Sequence, residues 1–286
     1  MQLFVNNLTN IDFSYLCPDR GLVGETWLVN IVLKGPIDPQ GMVCDFGKVK
    51  KTLRTWLDAT LDHCLLVPNN AEAIQSHVEN GVTVVQLELP QDEYIRVESP
   101  SQAITLLDVE RITPATAAAW CINQIKPMFG DQITYIHLEF SPEVIDTPYY
   151  HYSHGLKKHQ GQCQRIAHGH RSKLQIWRNS EPCIQSANEI ASLWKDIYVG
   201  TRDDCDQDDG RHLSFSYEAA QGLFKLTVPK RSCYLIDSDT TVELIAQHFA
   251  ETLGQKYPND HIVVKAYEGV GKGAIAENMP QKPINI

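Results

Sequence analysis

The stretch from Tyr150 to Arg171, Y-H-Y-S-H-G-L-K-K-H-Q-G-Q-C-Q-R-I-A-H-G-H-R, carries the densest chemistry in the chain. His168 and His170 are two residues apart, so on a β-strand both imidazoles face the same side. His154 lies in a preceding strand-like stretch and can add a third nitrogen from a neighbouring strand. Three histidines with an open fourth position are the usual catalytic zinc arrangement. Cys163 sits in the loop between, five residues before His168. His-Gly-His also arises by chance, but five of the eleven histidines (His151, His154, His159, His168 and His170) fall in this one segment. That density favours a metal centre, with His151 and His159 as solvated bystanders.

The elements that must position these residues repeat. Thr134 to Phe140 alternates like a strand and reaches Glu139; His261 to Glu268 does the same near the C-terminus. Each follows a run with apolar residues at helical spacing, Pro114 to Pro127 and Thr241 to Leu253. Upstream of each helix lies a hairpin, with strands at 82–89 and 94–97 in the first half and at 213–217 and 223–228 in the second. Earlier still, strand Trp27–Lys34 precedes an amphipathic helix over Phe46–Leu61, and strand Lys173–Trp177 precedes a helix over Ala187–Ile197. Each half thus reads β-β, helix, hairpin, helix, β. The boundary falls in 141–148, giving expected units of 1–141 and 142–286.

Composition narrows the function classes. The chain has 286 residues, 43% hydrophobic and 21% charged, which suits one large domain or two smaller ones. Asp and Glu number 35 against 25 Lys and Arg, a net charge of −10 that disfavours general nucleic-acid binding. No apolar run is long enough for a membrane span. Eight cysteines are scattered without a C-x-x-C, and no secretion signal is visible at Met1-Gln2-Leu3-Phe4. Free thiols, most of them buried, and a cytoplasmic location are therefore expected. The glycine-rich tail Glu268-Gly269-Val270-Gly271-Lys272-Gly273 lacks a Walker pattern, which disfavours a nucleotide P-loop.

Tyr150-His151-Tyr152-Ser153-His154-Gly155-Leu156 resembles the F-S-A-S-H-R-L opening of the 6-pyruvoyltetrahydropterin and 6-carboxytetrahydropterin synthase family. Cys163 and His168-Gly169-His170 resemble that family's loop cysteine and H-G-H pair. In the first half, residues 35–50 resemble G-x-I-D-P-x-T-G-M-V-x-D-F-x-x-L-K, and Leu61-Asp62-His63-Cys64-Leu65-Leu66 resembles L-D-H-x-x-L-N. Thr241-Val242-Glu243 and Ala266-Tyr267-Glu268 resemble the P-T-S-E and V-x-E-T elements. The resemblance spans nearly the whole chain and implies an α+β fold, a tandem duplication of tunnelling-fold units. Each unit is an antiparallel sheet with helices on one face, assembling into an oligomeric barrel.

The resemblance also implies roles. His154, His168 and His170 would bind Zn2+, Cys163 would be the general base, and Asp62 and His63 a proton relay. Glu268 and Thr241 would recognise the pterin of 7,8-dihydroneopterin triphosphate. Lys157, Lys158, Arg165 and Arg171 cluster around the cysteine loop, where Arg165 and Lys157 are candidates for the triphosphate. The halves depart from the family pattern in complementary ways. The first half has Cys17 where the first zinc histidine is expected, Val23-Gly24-Glu25 in place of H-G-H, and no loop cysteine; Glu139 remains on its last strand. The second half lacks L-D-H. Each half would thus supply what the other lost. The expected product is 6-carboxytetrahydropterin (the queuosine route), with 6-pyruvoyltetrahydropterin or a non-catalytic pterin- or zinc-binding paralogue as alternatives.

Overall fold

Alternating apolar residues extend the N-terminal segment into two long strands, β1 (Gln2–Cys17) and β2 (Gly21–Lys34). From Ile11 to Leu16, β1 is buried on both faces, so this end of the hairpin lies inside the molecule. The computed structural model describes residues 1–280; residues 281–286, the end of the second expected unit, lie outside the described residues. The hairpin leads to α1 (Phe46–Thr60), whose Asp45 N-cap accepts the Lys48 N–H at 2.8 Å and whose Val49, Leu53 and Leu57 face the core. Then come β3 (Leu65–Pro68), β4 (Ile74–Glu79), β5 (Val82–Leu89), β6 (Glu93–Pro100) and β7 (Ile104–Leu107). Helix α2 (Pro114–Ile125) starts at a Thr113–Thr116 capping box, and β8 (Tyr135–Pro142) closes the half.

The second half repeats this order with β9 (Tyr149–His154), β10 (His168–Arg178), β11 (Glu181–Pro182), α3 (Ile184–Leu193), β12 (Ile197–Thr201) and β13 (Cys205–Asp208). It continues with β14 (His212–Ala219), β15 (Gly222–Pro229), β16 (Cys233–Ile236), α4 (Val242–Lys256), β17 (Ile262–Tyr267) and β18 (Gly273–Asn278). Helix α3 ends earlier than its apolar spacing predicts, because Trp194 caps it and Asp196 turns the chain at φ 55° into β12. No described helix is long and apolar enough to cross a membrane.

Three sheets result. One has the order β7-β3-β1-β2-β8 and another β16-β12-β9-β10-β17-β18, with β11 beside β10. Their central strands are antiparallel, while β3, β7, β12 and β16 join in parallel. Helices α1 and α2 bury their apolar faces on the first sheet, α3 and α4 on the second. The third sheet, β13-β14-β15-β6-β5-β4, is built from the extra hairpins of both halves. They meet where Leu226 pairs with Val97, so one hydrogen-bonded sheet crosses between the halves. A shared core fills the space beneath it, with Leu16, Leu22 and Leu65 from one half and Ile166, Tyr198 and Phe215 from the other.

Strand register sets the equivalence of the halves. Leu65 bridges Ser14 on one side and Ile104 on the other; Tyr198 likewise bridges Ser153 and Cys233. Ser14 therefore corresponds to Ser153, and their hairpin partners, Gly24 and Gly169, correspond too. These four residues meet on a local two-fold axis. The Ser14 and Ser153 hydroxyls are hydrogen-bonded at 2.7 Å. A Cβ on Gly169 would lie 2.7 Å from the Gly24 Cα, and one on Gly24 would overlap the Tyr152 carbonyl oxygen. Only glycine permits this approach. Gly24→Ala is expected to destabilise the protein by about 1–3 kcal/mol through overpacking, measured as a fall in the urea midpoint at unchanged slope.

Candidate metal and catalytic site

His154 at the end of β9 is the cross-strand partner of His168 at the start of β10, and His170 follows on the same face. All three are buried, and one ligand atom from each lies within 4.8 Å of the others. Their remaining nitrogens are directed. His154 Nδ1 donates to the Thr240 carbonyl at 2.9 Å and lies 3.0 Å from the Thr240 hydroxyl. His168 Nδ1 donates to the Arg165 carbonyl at 2.8 Å. His170 Nδ1 lies 3.3 Å from Asp12 Oδ1. This leaves the Nε2 atoms of all three, and His170 Nδ1 as well, buried without a hydrogen-bond partner. Such atoms are costly unless something binds them, and oriented second-nitrogen contacts are what metal-ligating histidines carry. Burial holds His154 and His168 well below the usual imidazole range, so both are neutral, as ligands must be. The donor set fits a zinc-type ion.

Residues of the first half reach this cluster. His63 stands in a left-handed turn (φ 55°) after α1, with its N–H donating to the Asp12 carbonyl at 2.6 Å. Asp62 Oδ2 lies 2.6 Å from His63 Nδ1, and Asp62 Oδ1 accepts the Asp12 N–H at 2.8 Å. The His63 ring is 5.2 Å from the His168 ring, centroid to centroid. His63, Cys163 and His168 form a second cluster with ligand atoms within 4.8 Å. Burial works against a charged His63, but the Asp62 carboxylate and the Cys163 sulfur outweigh it and push the imidazole up to about 10.

Glu268, at the end of β17, lies with Oε1 3.9 Å from His170 Nε2 and Oε2 3.4 Å from Lys272 Nζ. Lys272 also lies 3.4 Å from the buried Asp12. Burial would raise the Asp12 carboxyl, yet His170, Lys272 and the Thr26 hydroxyl together hold it below the usual carboxylate range. Thr241 caps α4 and lines a cavity of about 210 Å³ with Lys158 and His159 beside the cysteine loop. Lys157 and Lys158 are exposed and paired with Asp204 and Asp239, at 2.9 and 2.7 Å. Arg165 turns inward instead of toward solvent. Its guanidinium reaches Cys64 Sγ at 2.9 Å, the His63 carbonyl at 3.4 Å and Gln221 at 3.1 Å, tying the cysteine loop to the Asp62–His63 turn. Asp12, Thr240 and Lys272 have no motif signal; only the folded register brings them to the site.

Four sequence expectations are corrected. Cys17 pairs with Gly21, so the counterpart of His154 is Tyr15, which faces Val23 as His154 faces His168. Glu139 is not the counterpart of Glu268; with Val29 opposite Phe140 and Leu174 opposite Ala266, Pro142 takes that place. His151 is buried, not solvated, and its Nδ1 donates to the Gly24 carbonyl at 2.8 Å. Of the eight cysteines, only Cys64 and Cys121 are fully buried; the others sit at intermediate depth. The first half's places for the three histidines thus hold Tyr15, Val23 and Glu25, which cannot form a three-imidazole site.

Paired hairpin sheets with helices on one face define a tunnelling fold, here with a three-histidine cluster beside a cysteine. The chain belongs to the 6-pyruvoyl tetrahydropterin synthase family, whose model matches it twice, over residues 18–147 and 143–278. Among solved structures it resembles a catalytic-residue mutant of Plasmodium vivax 6-pyruvoyltetrahydropterin synthase, at 17% identity and a TM-score of 0.42, covering 50% of this chain and 91% of that one. The unmutated Plasmodium vivax synthase matches at 16% identity and the Plasmodium falciparum synthase at 14%, with the same coverage and TM-score. No curated protein sequence matches the chain.

Two predictions follow from this geometry. His154→Ala, His168→Ala or His170→Ala should each abolish stoichiometric zinc on metal analysis, whereas Thr240→Val should weaken it about 10–100-fold. The second concerns Glu25, in the place of His170. Burial raises its carboxyl from an ordinary 4.5 to about 7, against the Thr26 N–H and the nearby Arg171. The folded state therefore holds this proton more tightly than the unfolded chain. Stability is fullest below pH 4.5 and falls as pH rises toward 7. Glu25→Gln should remove that loss, gaining on the parent protein by up to about 3 kcal/mol across this window in denaturant titrations.

Proposed function

We propose that the chain is a zinc-dependent enzyme acting on 7,8-dihydroneopterin triphosphate, with 6-carboxytetrahydropterin as product. The observation that carries this reading is the meeting of Asp62–His63 from one half with Cys163 and the histidine cluster of the other. In this reading residues 1–141 and 142–286 are two fused units that divide one site between them.

His154, His168 and His170 would hold the metal through their free Nε2 atoms, and bound zinc would supply Lewis-acid polarisation of the substrate's side-chain hydroxyls. Cys163 would take the proton from the hydroxyl-bearing carbon. A thiol needs activation to act near neutral pH, and the His63 ring lies beside it to exchange a proton. Asp62 fixes the ring of His63 and supports its positive charge, so His63 can return a proton to the product. Glu268 can accept two hydrogen bonds from the pterin 2-amino and ring N–H groups, steadied by Lys272. Lys157 and Lys158 at the rim would exchange their Asp204 and Asp239 partners for phosphate oxygens. Strands β8 and β18 are sheet edges among the described residues, and pairing between copies would cover them in a homo-oligomer.

The name of the matched family favours a second reading, 6-pyruvoyltetrahydropterin as product. Mass spectrometry after incubation with the triphosphate decides: either product establishes the enzyme and its branch. Unchanged substrate with zinc-loaded, folded protein would instead indicate a non-catalytic pterin binder. Cys163→Ala should lower kcat about 10²–10⁴-fold with zinc content intact. Asp62→Asn and His63→Ala should also cut kcat; unchanged turnover in both would refute the shared site.

A further inference from the structure

The same two-fold relation that assembles the histidine site generates a counterpart on the other side of the axis. There, Asp196 stands where His63 does, in the same left-handed turn at φ 55°. Lys195 matches Asp62, Ala191 matches Asp58, and His151 matches Asp12, by the strand and helix-end equivalences that place Leu65 with Tyr198. The contact between His170 and Asp12, at 3.3 Å, is mirrored by one between His151 and Glu25, at 3.9 Å. Arg20, on the turn between β1 and β2, grips Asp196 with two nitrogens at 2.9 and 2.5 Å.

On this side lies an open cavity of about 800 Å³, walled by the second half with Arg20 from the first, and larger than the 210 Å³ space beside the cysteine loop. Arg20, His151, Lys195, Asn188 and Thr147 line it, with Asp146 its one lining carboxylate among the described residues. The Thr147 hydroxyl oxygen is buried without a partner. Tyr149 forms part of the wall, its ring backed by the Arg171 guanidinium at 4.4 Å. The other two acids nearby are engaged: Asp196 by Arg20, and buried Glu25 by the Thr26 N–H at 3.0 Å.

We propose that this cavity is a second, metal-independent binding site for a small polyanion of the phosphate class. Asp12 and Asp62 of the histidine site become His151 and Lys195 here, while His63 and His170 become Asp196 and Glu25, the first held by Arg20 and the second by the Thr26 N–H, so Lys195 and the uncommitted N–H groups of Arg20 face the cavity with Asp146 as its one lining carboxylate among the described residues. With Tyr15, Val23 and Glu25 at the histidine places, the cavity has no imidazole triad for a metal. Lys195 offers a charge-assisted donor, Arg20 the N–H groups left over from its contacts to Asp196 and the Tyr15 hydroxyl, and Asn188 and Thr147 neutral donors. The proposal rests on strand register and not on the synthase reading, so either can fail alone.

The test is calorimetric titration of chelator-treated protein with inorganic triphosphate. One binding component should survive metal removal, weaken about tenfold or more in Lys195→Glu and in Arg20→Gln, and persist in Lys158→Glu, which removes only triphosphate held beside the cysteine loop. Absence of binding, or loss that follows Lys158→Glu and spares Lys195→Glu, overturns the site. Equal affinity for inorganic phosphate overturns the polyanion assignment. A check without variants is acylation of Lys195, read by mass spectrometry: triphosphate should protect it in the parent protein, and unchanged labelling counts against the proposal.

Discussion

The structure depends on one close approach. Two β-hairpins stack with Gly24 against Gly169 and the Ser14 hydroxyl against that of Ser153. No side chain separates the backbones there, so residues flanking the glycines reach across the axis. Asp12 reaches His170 and, symmetrically, Glu25 reaches His151. The cost is a polar pair in the interior, which the serines meet by bonding to each other.

The shared sheet and the cysteine loop hold this arrangement in register. Gln164 is the link: its carbonyl accepts the Tyr217 hydroxyl at 2.8 Å and its side-chain oxygen accepts the Gln221 N–H at 2.7 Å, both from the β14–β15 hairpin. The adjacent Arg165 carries the connection to the Asp62–His63 turn. The hairpins that lengthen each half therefore steady the loop bearing Cys163 as well as joining the two halves.

Much of this was legible in the chain. Period-3.6 spacing located α1, α2 and α4, alternation located the hairpins, and local motifs pointed to His154, His168, His170, Cys163 and Asp62–His63. Those signals are short-range. Counting along a motif misplaced the counterpart of His154 on Cys17, because a strand's partner register, not its sequence spacing, determines which residue faces the site. Arg165 reads as a candidate for the triphosphate because nothing local reveals the carbonyls of Asp62 and His63 that it meets. Asp12, Thr240 and Lys272 are separated from the histidines by long stretches of chain and became visible only in three dimensions. The fate of the extra hairpins was likewise undetermined until β6 and β15 were seen to pair.

The Leu226–Val97 junction has an evolutionary consequence. Two identical subunits related by a two-fold axis must present every substitution twice, once at each site. A covalent pair joined through a continuous sheet is free of that constraint. Here one position can hold histidine on one side of the axis and glutamate on the other, and each side answers to its own selection. The fused chain behaves as a permanent heterodimer, in which one member can specialise without the other paying the cost in fold.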